Sequence, residues 1–369
     1  MALAHVPLIL FGVGGVGQTL LRQIIDSRDL LARRLNLHLS VVGLVTRQHE
    51  LFHPAGLDDE RLLALLERSE TGQPPSRQGW QVRTDDQGSL RTHVPALGEP
   101  PVVIDATAAE GMENILLTAL DLGCRVALAN SRALVGPWSV SHRFFQEPNV
   151  RFEATVGAGL PATRTLRGLL NTGDRVSAIE GALSGTASYI CSQLQLDVPF
   201  SVTLAQARDL GYTEPDPRED LSGQDSARKI LVMSRLAGWP LEMNDVQIEQ
   251  LCSPSLSSMP FDRFIEQAAR LDDNVARRVQ AAREDGCVLR YVAETDPGGG
   301  RVGLRAVPRV SQLGVIQGPE CLLTLFTARY TVSPLTISGR GVGPELAATA
   351  LLSDIMCLAR SNSSQLPAR

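Results

Sequence analysis

Residues 211–229 read GYTEPDPREDLSGQDSARK and carry Glu214, Asp216, Glu219, Asp220, Asp225 and finally Lys229. Lys229 is the only lysine in the chain; every other one of the 35 lysine-plus-arginine residues is arginine. Surface ion pairs accept either cation, but a guanidinium does not release its proton at usable pH, whereas a partly buried ammonium does. A single ammonium kept among carboxylates therefore points to proton transfer, with arginine-biased drift as the bland alternative. A helix expected over Gln224–Ala237 puts Asp225 and Lys229 four residues apart on one face. Glu214 and Asp220 lie in the loop ahead of it, free to face the same centre. Such a group can hold a substrate's amine and tune the lysine. An acidic capping loop with an ordinary Asp–Lys surface pair is the other reading.

A second constellation stands at the start. The apolar run Val6–Phe11 stops at Gly12-Val13-Gly14-Gly15-Val16-Gly17 and continues into QTLLRQIIDSR. Strand, glycine turn and helix form the context of a dinucleotide-binding fingerprint. Gly12 makes the tight turn, Gly14 lets the backbone approach a pyrophosphate, and Gly17 lets the helix pack on the strand. The amides at the helix start would face the phosphates. The next strand, Leu37–Val45, ends at Thr46-Arg47. A hydroxyl followed by arginine suits a ribose 2′-phosphate, hence NADP, where an acidic residue would suit NAD; a solvated loop arginine is the alternative.

These sites need elements to hold them. Strands are expected at Pro101–Thr107 and Cys124–Asn130 around a helix in GMENILLTALDLG, which gives the alternation of a doubly wound parallel sheet. Residues 48–98 read as polar and irregular apart from a helical patch, DERLLALLERSE. Beyond residue 150 the texture changes. A strand, a glycine turn and a helix start are expected within 176–190, a helix near Leu204–Leu210, and strands at 286–295, 301–309 and 321–330. ISGRGVG (Ile337–Gly343) reads as a second glycine loop before a closing helix, Glu345–Leu358. The fold class is thus α/β, a Rossmann-type doubly wound nucleotide-binding domain plus an α+β catalytic domain. The domains are expected at 1–150, completed by 336–369, and at 151–335.

Composition excludes several classes. The chain has 369 residues, 43% of them hydrophobic, and a net charge of -5. Two to three domains fit that length. No apolar run reaches the ~20 residues that span a bilayer, and no polybasic block invites nucleic acid or anionic lipid. The six cysteines form no C-x-x-C pair, which argues against a zinc site or a disulfide scaffold and suits a reducing cytoplasm. The N-terminal MALAHVPLIL lacks a basic stretch and a cleavage site, so no secretory signal is expected.

GYTEPDPREDLSGQDSARK, FEATVGAGLP (152–161), GALSGTASYI (181–190), DDNVARRVQAAREDGCVLRYV (272–292) and the N-terminal FGVGGVG together resemble homoserine dehydrogenases. The resemblance covers nearly the whole chain and is nearest to the homoserine dehydrogenase portion of enzymes fused to aspartokinase. The chain has no length for a kinase, and no threonine feedback through an appended module is expected. The resemblance implies that Lys229 is the general acid/base, with Asp225 catalytic beside it. It implies that Glu214, Asp220 and Asp225 hold the substrate, joined by Gly185, Thr186 and Gly211. Besides the glycine turn, Thr46 and Arg47, it assigns the cofactor to Thr107, Asn130, Ser131, Gly341 and Gly343. Glu153 and the carbonyls of Val156, Ala158 and Leu160 match a monovalent-cation site, usually sodium. The implied reaction is reversible reduction of L-aspartate 4-semialdehyde to L-homoserine with NADP, or NAD, on the route to threonine and methionine. A cytoplasmic homodimer acting on a small molecule follows from the same likeness.

Two departures stand out. The family's A/P-N-K-K reads Ala129-Asn130-Ser131-Arg132 here, so Ser131 replaces a lysine near the nicotinamide and Arg132 cannot shuttle protons. The family's G-x-G-A-G-N reads Gly339-Arg340-Gly341-Val342-Gly343-Pro344, where Pro344 removes a backbone donor. These changes keep two alternatives in view: a sibling oxidoreductase with another amino-acid aldehyde or alcohol as substrate, and a non-catalytic NADP-binding subunit.

Overall fold

Val6–Phe11 has no polar residue to alternate with its apolar ones, the pattern of a strand buried on both faces. It lies within β1 (Ala4–Phe11), the middle strand of a seven-stranded sheet. The computed structural model describes residues 3–70, 79–83, 87–213, 216–252, 256 and 259–361. Two contact units divide the chain. Unit 1 comprises the residues through Gly136, Val140–Thr155 and those from Gly343 on; unit 2 comprises Pro137–Ser139 and Val156–Val342.

In unit 1 the strands are β1, β2 (Leu37–Val45), β3 (His49–Phe52), β4 (Gln81–Val82), β5 (Val102–Asp105), β6 (Arg125–Leu128) and β7 (Val150–Arg151), in the order β4-β3-β2-β1-β5-β6-β7. β2, β1, β5, β6 and β7 run parallel, while β3 and β4 fold back antiparallel at one edge. The helix Gly15–Leu35 crosses from β1 to β2. The order reverses between β1 and β5, so their carboxyl ends flank the crevice where such sheets take ligands. The helix Pro344–Ser361 packs beside Gly15–Leu35, with Gln23 Nε2 donating to the Glu345 carbonyl and to Thr349 Oγ1, both at 3.0 Å. Its Ala348, Leu351, Ile355 and Leu358 share the core with Leu20, Leu21 and Ile24. Residues 48–98 are more regular than their polarity suggested, since β3, β4 and the short helix Gly88–His93 lie among them. Pro344 is the first residue of the closing helix, where no intrahelical N–H is needed and its fixed φ is an asset.

Unit 2 is built on a six-stranded sheet of β8 (Val176–Ala182), β9 (Val246–Ile248), β10 (Cys287–Asp296), β11 (Gly299–Pro308), β12 (Glu320–Thr327) and β13 (Leu335–Arg340), in the order β13-β12-β8-β10-β11-β9. All pairs are antiparallel except β11–β9. The helices Gly185–Leu194 and Gln224–Leu236 pack on it. Residues 337–340, the first part of the glycine loop expected at Ile337–Gly343, belong instead to the edge strand β13, with Ile337 opposite Leu323. The stretch taken as a loop at 211–223 contains a helix, Pro217–Leu221, capped by the Asp216 side chain with proline at its first position.

β10 carries Arg290, 1% exposed. Its guanidinium donates to the carbonyls of Leu289 (2.8 Å), Leu313 (3.0 Å), Gly314 (2.6 Å) and Ile316 (3.1 Å) and to Gln195 Oε1 (2.8 Å). Arg290 thereby ties the segment 313–316 down, and Leu313 and Ile316 join Ala182, Val288, Val292, Val307 and Leu322 in a core cluster.

Candidate functional site

In unit 1 the glycine turn, the end of β2 and residues 106–112 surround a cleft of about 820 Å³. Gly12 has φ +93, and a Cβ there would lie 2.7 Å from the Ala106 carbonyl oxygen. A Cβ on Gly17 would lie 2.1 Å from the Gly12 carbonyl oxygen, so the helix could not approach the turn with any side chain there. Gly14 is the N-cap of Gly15–Leu35, makes no side-chain cap bond, and no acidic residue occupies the first turn. That end therefore keeps the positive dipole a phosphate requires. Val13 lines the cleft as well, while Gly15 and Val16 open the helix.

Thr46 and Arg47 both line the cleft. The Thr46 hydroxyl is engaged in the turn to β3, donating to the His49 carbonyl at 2.8 Å and accepting from the His49 amide at 3.0 Å. Arg47 is exposed. A second arginine, missed in the sequence, lines the same cleft: Arg83 donates to the Thr46 carbonyl at 3.2 Å and stands 5.6 Å from the centroid of the Phe11 ring. Nothing local in the sequence marks Arg83. It follows β4, whose pairing with β3 returns it to the end of β2.

On the other wall Asn130 Nδ2 donates to the Ala109 carbonyl at 2.8 Å and to Thr107 Oγ1 at 3.3 Å, and Asn130 Oδ1 accepts from the Arg132 amide at 3.0 Å. Ser131 is the N-cap of Arg132–Val135 but makes no side-chain cap bond, and Arg132 pairs with Glu110. Gly343 (φ +104) precedes the closing helix. Glu153 is 3% exposed in a single turn of 3₁₀ helix, Glu153–Thr155, and its amide donates to Asp354 Oδ2 at 2.8 Å.

In unit 2 the helix Gln224–Leu236 starts after Gly223, whose φ is +74 and whose Cβ, if present, would lie 2.1 Å from the Tyr291 hydroxyl. Glycine there lets the helix start close against β10. One turn in, Lys229 Nζ donates to Asp225 Oδ2 at 2.7 Å and to the Leu183 carbonyl at 2.8 Å, just past the end of β8. Burial alone would lift the Asp225 carboxyl, but Lys229 and Arg228 outweigh it and hold Asp225 below the usual carboxylate range. Burial would likewise lower the Lys229 ammonium, but Asp225 outweighs it and the lysine lies above its ordinary value. The pair is therefore ionised at neutral pH.

The Thr186 hydroxyl lies between Asp220 Oδ1 (2.9 Å) and the Tyr212 carbonyl, which ties the short helix Pro217–Leu221 to the start of Gly185–Leu194. A Cβ on Gly185 would meet Val342 Cγ1 at 2.0 Å, and Gly211 turns with φ +69. Asp216 is committed to its cap and to the Arg218 guanidinium. Glu214 lies outside the described residues. Gly341 follows β13, where a Cβ would press on Cys321 Sγ at 2.3 Å. Val156, Ala158 and Leu160 open unit 2, with Gly157 at φ +71 and Ala158 at φ +52. Among the described residues no three His, Cys, Asp or Glu side chains form a metal cluster.

Comparison with known proteins adds an independent line. Residues 12–147 match the family model "Homoserine dehydrogenase, NAD binding domain", and residues 161–356 match "Homoserine dehydrogenase". The chloroplastic bifunctional aspartokinase/homoserine dehydrogenase 2 of Zea mays is 34% identical over 360 residues, 95% of this chain and 38% of that protein. The chain thus spans less than half the length of that relative. Homoserine dehydrogenase of Emericella nidulans is 29% identical over 371 residues, covering 96% of this chain and 98% of the fungal one. A Candida auris protein of unknown function, solved by crystallography, superposes with a TM-score of 0.84 at 28% identity, over 96% of this chain and 98% of that one. A glycine turn that opens a nucleotide-binding sheet, a lone lysine held by a carboxylate, and family matches to both halves lead to one conclusion: the chain belongs to the homoserine dehydrogenase family, oxidoreductases that act on a CH–OH group.

Proposed function

We propose that this protein is an NADP-dependent homoserine dehydrogenase that interconverts L-aspartate 4-semialdehyde and L-homoserine, with Lys229 as general acid/base. The observation that carries the reading is the lone lysine itself, held by Asp225 and the Leu183 carbonyl at 2.7 and 2.8 Å. When bound, the dinucleotide supplies the hydride that reduces the aldehyde carbon. As negative charge builds on the substrate oxygen, the Lys229 ammonium donates a proton to it. Asp225 keeps that ammonium charged beforehand and, with Asp220 and Glu214, offers carboxylates to the substrate's own ammonium. Thr186 fixes the Asp220 carboxylate for this role.

Arg47 and Arg83 at the end of β2 support NADP over NAD. Two guanidiniums suit a 2′-phosphate, and each hydrogen bond to a charged group contributes about 1.5–3 kcal/mol. The double variant Arg47→Ala/Arg83→Ala is therefore expected to raise KM for NADP by at least about tenfold and leave KM for NAD within about twofold. An equal rise for both cofactors would remove the arginines from 2′-phosphate recognition.

We extend the reading to a bound monovalent cation, sodium, on the strength of the resemblance over FEATVGAGLP, a stretch in which Ala158 is left-handed. A non-glycine residue in that region costs about 1–2 kcal/mol. We extend the same reading to a homodimer in the cytoplasm; no helix among the described residues is long and apolar enough to cross a membrane. Steady-state oxidation of L-homoserine, with NADP and NAD in parallel, tests the whole reading. Turnover with NADP preferred is the expected result, and tight NADPH binding without turnover would overturn it.

A further inference from the structure

Asp105 is the last residue of β5, opposite Phe11 of β1 and Leu128 of β6, with no exposed surface. Its Oδ1 accepts from the Thr107 amide at 2.9 Å and from the Thr107 hydroxyl at 2.6 Å. Its Oδ2 is buried without a hydrogen-bond partner among the described residues. Thr107 Oγ1 accepts in turn from the Ala109 amide at 3.2 Å and from Asn130 Nδ2. The Ala106–Thr107 peptide fixed in this way is also the surface that Gly12 meets, 2.7 Å from the Ala106 oxygen and 2.9 Å from the Thr107 nitrogen for a Cβ on Gly12. One buried carboxylate therefore locks residues 107–109 on one wall of the cleft, and the Ala106–Thr107 peptide it holds is the surface the glycine turn meets.

We propose that Asp105 is a positioning residue of the dinucleotide cleft, whose ionised carboxylate sets the spacing between the glycine turn and residues 106–109 and so the affinity for the cofactor. The proposal rests on reading this cleft as the cofactor site. An asparagine would make the same turn without burying a charge, so a purely local structural role does not call for a carboxylate. Burial pushes the Asp105 carboxyl up to about 6, against the opposing pull of Thr107 and the nearby Asn130 amide, with Glu113 adding repulsion. Glu113 is the charged group that acts on it. The other charges nearby along the same wall, Glu110 and Arg132, pair with each other. As pH falls through this region the proton goes to Oδ2, the oxygen without partners. The two bonds from Thr107 then lose charge assistance, which roughly halves their strength. A carboxyl raised on folding favours the folded state below its ordinary range and costs stability above its folded value, so the ionised Asp105 is a stability liability at neutral pH that the cleft retains.

The test is the dissociation constant of NADPH, followed by its fluorescence between about pH 5 and pH 8, for the native protein and Asp105→Asn, with NADH in parallel to separate ionisation of the 2′-phosphate. Asp105→Asn is expected to bind about three- to tenfold more weakly at neutral pH, to lose the native protein's acid limb, and to melt at a higher temperature. Binding as tight as native at neutral pH, or an unchanged acid limb with NADH, would overturn the proposal. Thr107→Val keeps the main-chain bond but removes the hydroxyl that lowers the Asp105 value, so its acid limb should move to higher pH; an unmoved limb also counts against the proposal. If the native protein bound neither dinucleotide, the cofactor reading of the cleft would fail instead.

Discussion

Lys229→Arg is expected to lower kcat for L-homoserine oxidation by about 10²- to 10⁴-fold while leaving the dissociation constant of NADPH within about twofold. Arginine keeps the positive charge and enough reach for Asp225 and the Leu183 carbonyl. It does not keep a proton that can be given up and regained in the reaction, because a guanidinium stays protonated at any pH the protein survives. The substitution thus separates holding charge from moving a proton. Turnover of Lys229→Arg near the native rate would mean that another group moves the proton. The pH profile supplies a second reading. Asp225 holds Lys229 above its ordinary value, so the free site is charged and ready to donate in aldehyde reduction. In the reverse direction the lysine must first lose its proton, and oxidation should gain as pH rises. Asp225→Asn removes the principal influence that raises Lys229, so the rising limb of oxidation is expected to move to lower pH even as kcat falls. A limb that stays in place would assign that ionisation elsewhere.

Arg290→Met should be the most destabilising single change in unit 2. Methionine fills much of the volume but donates nothing, and it leaves the carbonyls of Leu289, Leu313, Gly314 and Ile316 without the guanidinium. Each buried acceptor left unpaired costs about 1–3 kcal/mol. Partial recovery through water keeps the expected total to about 3–5 kcal/mol, or a melting temperature lower by roughly 6–20 °C. Removing a buried charge offsets part of this, because burial already pushes the Arg290 guanidinium down, with only Cys191 opposing. The segment 313–316 should come loose first and expose Leu313 and Ile316. Limited proteolysis should therefore cut near Val310 and Val315, which are 90% and 56% exposed in the native fold. A variant that melts with the native protein and resists cleavage there would show that the segment does not depend on Arg290.

Much of unit 1 could be read from sequence because its central strands are uninterrupted apolar runs and its first turn needs glycine at two fixed places, Gly12 and Gly17. A Cβ on Gly12 or Gly17 would lie 2.7 or 2.1 Å from a backbone atom, a constraint that leaves a direct trace in residue type. Arg83 leaves none, because its place depends on β4, two residues long, pairing with β3 across a separation that no local pattern encodes. In unit 2 the Asp225–Lys229 pair was legible because helical spacing alone brings four-residue neighbours together. The Leu183 carbonyl that completes the lysine's surroundings is a backbone atom from a distant turn, and backbone acceptors carry no residue signature. Gly339 and Gly341 suggested a loop, yet Gly339 sits within β13 and Gly341 just beyond it, where glycine answers to the crowding of Leu160 and Cys321 rather than to turning. Asp216 was read as one carboxylate among several, and its sequence context, Asp before Pro, is in fact a helix start.

The helix Pro344–Ser361 belongs to the core of the unit that the chain begins with, and this has a consequence for biosynthesis. By Thr155 a ribosome has delivered all seven strands of the first sheet. The helix that shares a core with Leu20, Leu21 and Ile24 is still some 190 residues away. Nearly all of unit 2 is translated in the interval, and it ends at Val342, just before that helix. Unit 2 is thus fully translated before the last element of unit 1 is, contrary to the usual order in which the earlier domain folds first. Throughout that interval the patch this helix covers, on Gly15–Leu35 and beside β6, is exposed to water, to neighbouring nascent chains and to whatever chaperone reaches it.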